Sequence, residues 1–186
     1  MREAMSHAHS PAMCLEGRKE EKMAKKDKGE VKTNAMRILD RAGIPYEHFS
    51  YECDEFIDGA ATADKLGLPH DQVFKTLVTV APDRQNYVFV IPIDEELDLK
   101  KCARSVGAKS VAMIHQKELF PLTGYMRGGC TAIGMKKNFV TRIDESAMLY
   151  DRIYISGGKI GCQILLNPED FLKAAWKAEY ADLTRE

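Results

Sequence analysis

No two cysteines in this 186-residue chain form a CxxC pair. The five thiols, Cys14, Cys53, Cys102, Cys130 and Cys162, are odd in number and widely scattered. That disfavours a zinc site or a disulfide framework and favours reduced thiols in a reducing compartment. The five histidines (His7, His9, His48, His70 and His115) show no HExxH spacing, so no metal is expected. Also missing are a GxxxxGKS/T phosphate loop, a GxGxxG turn after a strand and a GxSxG elbow. Their absence removes the P-loop, dinucleotide-binding and serine-hydrolase readings, and no cofactor is expected. No apolar run approaches the roughly 20 residues that span a bilayer, and the N-terminus lacks the apolar core of a secretory signal. A cytoplasmic protein without membrane contact is the expectation. A net charge of −1 argues against tight non-specific binding to nucleic acid, and no DNA partner is expected.

What is present has an ordinary soluble profile, 30% charged and 45% hydrophobic, in a chain long enough for one domain plus appendages. Residues 1–30 read as a disordered charged tail, because the run from Gly17 to Lys32 holds seven Lys/Arg against four Asp/Glu. Residues 31–186 read as a single domain. A helix is expected from about Thr33, with Asn34 as its cap and Gly43 and Pro45 as its stop. Tyr46 to Tyr51 reads as a strand, and Asp58 begins a second helix that ends at Gly67. Val73–Val80 and Tyr87–Ile91 form a hairpin around a polar turn. Asp98 caps a third helix with Cys102 in the core. Lys109 to Ile114 is a strand, His115 to Leu122 a helical turn, Asn138 to Ile143 a strand, and Asp144 caps a short helix. Arg152 to Ser156 and Cys162 to Leu166 pair around a glycine turn. Asn167-Pro168 starts a last helix that turns Leu172, Ala175 and Trp176 inward, after which the chain frays. The sum is an α+β fold: a mixed, mostly antiparallel, curved, barrel-like sheet surrounded by helices.

Two features invite chemistry. Lys75 sits in a strand that reads as buried by its Phe, Thr, Leu and Val content, where an ammonium needs an anionic partner or an edge from which to reach water. The loop Gly124–Gly134 contains Gly128-Gly129, which lets backbone approach a ligand closely and can form an anion-binding nest, followed by Lys136-Lys137. Cys130 lies beside Gly129 without a local histidine to lower its pKa, so a packing role is favoured over a nucleophilic one. Asp94-Glu95-Glu96 reads as a solvated turn. These parts can bind an acyl ester and stabilise an oxyanion, and they supply no nucleophile.

Three motifs stand in order: Phe74-Lys75-Thr76-Leu77, then Gly124-Tyr125 through Gly128-Gly129 to Gly134 and Lys136-Lys137, then Tyr154-Ile155-Ser156-Gly157-Gly158-Lys159 with Gly161. With Gly43-Ile44-Pro45-Tyr46 they resemble the bacterial YbaK/EbsC-type Cys-tRNA(Pro) deacylases of the prolyl-tRNA synthetase editing-domain superfamily, over about residues 33 to 183. The resemblance implies a trans-editing enzyme that hydrolyses cysteine wrongly attached to proline tRNA, working with that tRNA and with prolyl-tRNA synthetase. It implies Lys75 as the essential lysine, with Tyr51, Gly128, Gly129 and Ser156 lining the substrate pocket. It also implies a substrate-assisted mechanism in which the cysteine thiol attacks its own ester, which accounts for the missing nucleophile. The loop departs from the family pattern: Cys130-Thr131-Ala132-Ile133 lacks the usual Ser-Pro, and Gln163 stands where some members carry an acidic residue. These departures bear on amino-acid specificity. Relatives that remove alanine from proline tRNA share the fold and the lysine, and a non-catalytic module that binds tRNA or a synthetase is the competing class.

Overall fold

The structure is a computed structural model that describes residues 32–51 and 59–185. The expected tail, and Asp58 as the start of the second helix, lie outside the described residues. Helix α1 (Asn34–Ala42) is started by Thr33, whose hydroxyl accepts from Met36 N at 3.3 Å, and it is stopped by Gly43 at φ 67°. Asn34, expected as the cap, is instead the first helical residue. Thr33 already supplies the capping oxygen, and the Asn34 amide reaches across to donate to Gly134 O at 2.9 Å. The order continues β1 (Glu47–Ser50), α2 (Gly59–Leu66), β2 (Phe74–Val80), β3 (Asn86–Pro92) and α3 (Leu99–Ser105). Then come β4 (Ala112–Met113), α4 (Gln116–Thr123), β5 (Val140–Asp144), β6 (Ile153–Ser156), β7 (Cys162–Leu166), α5 (Pro168–Ala174) and β8 (Glu179–Ala181). The strand expected over Lys109 to Ile114 shrinks to the two residues of β4, which meet β2 only at Thr79 and Val80.

Five strands form one sheet in the order β4-β2-β3-β5-β8, and three form another in the order β1-β7-β6. Four of the pairings are antiparallel; β3 with β5 and β5 with β8 are parallel. The mixed, mostly antiparallel α+β arrangement agrees with the expectation. Barrel closure does not follow: among the described residues the two sheets are laddered together only through a bridge between Val73 and Tyr154.

The core explains why β3 is apolar throughout. Val88 and Val90 pack with Phe74, Val78 and α1 on one side of the sheet, whereas Tyr87, Phe89 and Ile91 pack with α3 on the other. A strand covered on both faces cannot alternate with polar residues. Cys102 is fully buried in that second cluster, as expected of a core thiol, with its Sγ 3.8 Å from Leu183 O.

Two expectations about the C-terminus fail. The chain does not fray after α5. It adds β8 alongside β5, and Leu183 is fully buried with its N–H donating to Asp144 Oδ2 at 3.1 Å. Trp176 is 49% exposed, because α5 ends at Ala174 and the helical spacing that would carry Trp176 inward stops with it. Phe171 and Ala175 fill the core position, and Trp176 borders a shallow groove beside Lys137 and Lys177.

Candidate active site

From the Val73–Tyr154 bridge, β2 and β6 run parallel and then part. Lys75 and Ser156 each stand two residues past that bridge, and both line a cleft of about 590 Å³. The remaining walls come from the start of α2 at Gly59 and Ala60, from Ile93 to Leu97 after β3, from the glycine loop, and from Gln163 of β7.

Lys75 is half-buried, and its Nζ donates to Ile93 O at 2.7 Å. At Lys75, β2 pairs with β3 on one side only, because β4 stops at Thr79. Lys75 thus stands where β2 has an open side, but it lines the cleft and donates to Ile93 O rather than reaching for solvent. Its ammonium is the kind of group that receives a phosphate or a developing oxyanion.

The glycine loop is built by close backbone approach. Gly128 adopts φ 83°, a conformation that side chains rarely tolerate. At Gly129 an added Cβ would sit 2.8 Å from Ile160 N and from Lys159 C, so only glycine lets this loop lie against the β6–β7 turn. Gly129 N donates to Met126 O at 3.0 Å. That amide closes its own turn, so the anion nest expected of consecutive N–H groups lacks it as a member. The loop is held without the family's proline by Tyr125, whose buried hydroxyl lies 2.7 Å from Ile133 O and 3.2 Å from Gly134 O. Burial pushes the Tyr125 phenol up to about 12, so it stays a hydrogen-bond donor. Lys136, expected beside the anion site, instead lies over the Phe120 ring with Nζ 4.8 Å from its centroid.

Cys130 lines the cleft, but burial pushes its thiol up to about 12. A neutral thiol is a poor nucleophile, and none of the described histidines lines the cleft to take its proton. Ser156, at the end of β6, accepts from Gly158 N at 3.4 Å.

Not every expected site residue reaches the cleft wall. Lys75, Gly128 and Ser156 do. Gly129 is one residue removed, between Gly128 and Cys130, which both line it. Tyr51 is placed elsewhere: its N–H donates to Gly161 O at 2.9 Å, its hydroxyl lies 3.2 Å from Thr62 Oγ1, and Lys65 Nζ sits 5.8 Å above its ring. It fastens the end of β1 to the β6–β7 turn and to α2. Sequence reasoning missed Arg127 and Arg185, cations on the cleft wall; Glu95 and Glu96, read as part of a solvated turn, are exposed and also border the cleft. Arg127 carried a usable signal, since a cation directly before Gly128-Gly129 suits an anion site. Arg185 did not, because only the path of β8 brings it there.

A family model described as an aminoacyl-tRNA editing domain matches residues 57–174. EbsC of Enterococcus faecalis, named as a Cys-tRNA(Pro)/Cys-tRNA(Cys) deacylase, is 44% identical over 163 residues, which are 87% of this chain and 98% of its own length. The chain belongs to the aminoacyl-tRNA editing domain family. This bears out the resemblance read from the three motifs, and with it the enzyme class, an aminoacyl-tRNA deacylase. A solved structure described as a trans-editing enzyme for prolyl-tRNA synthetase superposes with a TM-score of 0.72 at 24% identity, over 84% of this chain and 100% of its own. Another, of a hypothetical protein, gives 0.74 at 22% identity, over 82% of this chain and 100% of its own. At those identities the likeness speaks for the fold. In this editing domain every residue that lines the cleft between β2 and β6, apart from Arg185, falls within the matched span.

Proposed function

We propose that the protein is a cytoplasmic trans-editing hydrolase that cleaves the ester of cysteine mischarged onto proline tRNA. The observation that carries this reading is the cleft that holds a positioned lysine and glycine-lined backbone, while its one described thiol is buried and neutral. Such a cleft positions an ester and stabilises charge without attacking it. The substrate's own thiol then supplies the nucleophile. It loses its proton and adds to the ester carbonyl, the tetrahedral oxyanion collapses, and the ribose hydroxyl leaves with a proton. A cyclic thioester of cysteine remains, and water opens it to free cysteine. Lys75 holds the ester or its neighbouring phosphate in this scheme, Gly128, Gly129 and Ser156 shape the pocket, and Tyr51 supports it from behind. The partners are the mischarged proline tRNA and prolyl-tRNA synthetase, with neither DNA nor a membrane. Among the described residues no helix is long and apolar enough to cross a membrane.

The test is a comparison of Cys-tRNA(Pro) with S-methyl-Cys-tRNA(Pro). The thiol substrate should be deacylated and the thioether left intact. Equal cleavage of the two would replace the substrate-assisted route with attack by water or by a protein group.

A further inference from the structure

Gln163, the second residue of β7, sits opposite Ser156 in the β6–β7 ladder, and it is only 7% exposed. It lines the same cleft as Lys75, Cys130 and Ser156. Its Oε1 is buried and has no hydrogen-bond partner among the described residues. A buried amide oxygen that has lost water and gained nothing is costly, and an otherwise well-satisfied fold keeps such an atom where a ligand completes it.

The chemistry of the cleft says which ligand group that is. Lys75, Arg127 and Arg185 supply cationic donors, which suit the phosphate, the ester oxygen and the developing oxyanion. A bound aminoacyl ester also brings a donor of its own, the α-ammonium, which needs acceptors. The cleft's side-chain acceptors are Thr76, Glu95, Glu96, Ser156 and Gln163. Glu95 and Glu96 are exposed, and Thr76 and Ser156 are half-buried. Gln163 is the buried one, on the strand next to the parting point of β2 and β6. A neutral amide there accepts from an ammonium without adding a carboxylate that would compete for Lys75.

We propose that Gln163 Oε1 accepts a hydrogen bond from the α-ammonium of the bound aminoacyl group and so sets the orientation of the ester in the cleft. The assignment rests on the deacylase reading above. It makes Gln163 a substrate-binding residue that recognises the α-ammonium of the amino acid rather than its side chain. The amine, fixed on β7, directs the Cα substituent toward the rest of the cleft.

The experiment is a two-by-two comparison. Purified wild type and Gln163→Met, a substitution of similar length and volume, are assayed on Cys-tRNA(Pro) and on N-acetyl-Cys-tRNA(Pro). Acetylation removes the charge and leaves the thiol and the ester. The wild type should prefer the free amine. Gln163→Met should lose about tenfold or more in kcat/KM on Cys-tRNA(Pro), the size of a lost hydrogen bond to a charged group, and stay within about twofold of wild type on the acetylated substrate. Gln163→Glu, which keeps the acceptor, should keep the preference for the free amine. A Gln163→Met variant that loses equally on both substrates, or on neither, overturns the assignment while leaving the deacylase reading in place. Wild-type protein inert on both substrates overturns the two together.

Discussion

Lys75 Nζ donates to the main-chain oxygen of Ile93 at 2.7 Å, across the end of the β2–β3 hairpin. The bond holds the ammonium at the cleft wall before any ligand arrives, so little reorganisation is needed when an anionic oxygen does. Lys75→Ala should therefore lower kcat/KM for deacylation by at least about 100-fold, as expected for loss of a positioned electrostatic group. Because the side chain is only half-buried, the variant should unfold within a few degrees of wild type. Lys75→Arg should not restore the rate, since a planar guanidinium cannot copy a point charge at this position. Single-turnover kinetics with circular dichroism melts check both halves.

Gly129→Ala should damage fold and activity together. The added methyl would meet main chain at Lys159 and Ile160, and neither is the movable end of a side chain. Overpacking of this kind costs about 1–3 kcal/mol. Denaturant titration should show that loss, and the rate should fall because the glycine loop and the turn after Ser156 are pushed apart. Gly128→Ala, strained by φ 83° rather than by contact, should cost about 1 kcal/mol and leave the two loops in register.

Cys130→Ala should remain active. The native thiol, held neutral by burial, should react with iodoacetamide far more slowly at pH 7.5 than the same cysteine in unfolded protein. Peptide mapping of the alkylated chain follows Cys130 apart from the other thiols. An inactive Cys130→Ser together with rapid, inactivating alkylation would make Cys130 the nucleophile instead.

His70 gives the fold a pH dependence of predictable sign. Its Nδ1 lies 2.7 Å from Asp94 Oδ2 and its Nε2 3.0 Å from Asp64 Oδ1, so it joins α2 to the stretch after β3. The hydrogen bonds to Asp94 and then Asp64 raise its pKa above the ordinary histidine value. A raised folded pKa stabilises the fold fully below the unfolded value of about 6.5, and that contribution is lost as pH rises through the folded pKa. The Tm gap between wild type and His70→Gln should be widest near pH 6 and should close at alkaline pH. A gap that widens from pH 6 to 9 would reverse the assignment.

Local chemistry is what the chain displays most openly. The β6–β7 turn is written in Gly157-Gly158 and Gly161, the α3 start in Asp98, and the α5 start in Asn167-Pro168, because each involves only neighbours in sequence. Contacts between distant segments are not displayed. Nothing near Leu183 announces that it will be buried against α3, and nothing near Val73 announces Tyr154 as its neighbour. The division into two sheets and the open barrel follow from such pairings. The site divides in the same way. Lys75 stands out because a charge in a largely buried strand demands a reason, and the glycine loops stand out because glycine is rarely chosen for its side chain. The orphan oxygen of Gln163 is invisible in a strand that reads Cys-Gln-Ile-Leu-Leu, since only packing shows that no partner among the described residues reaches it.

The central claim, that this cleft deacylates mischarged proline tRNA through Lys75, is met most directly by one assay. Cys-tRNA(Pro), Ala-tRNA(Pro) and correctly charged Pro-tRNA(Pro) are each incubated with wild-type protein and with Lys75→Ala, and release of the free amino acid is followed. The account predicts rapid release of cysteine by the wild type, intact Pro-tRNA(Pro), and release by Lys75→Ala no faster than in buffer. Wild-type protein that leaves all three tRNAs intact, or a Lys75→Ala variant as fast as wild type, would contradict it.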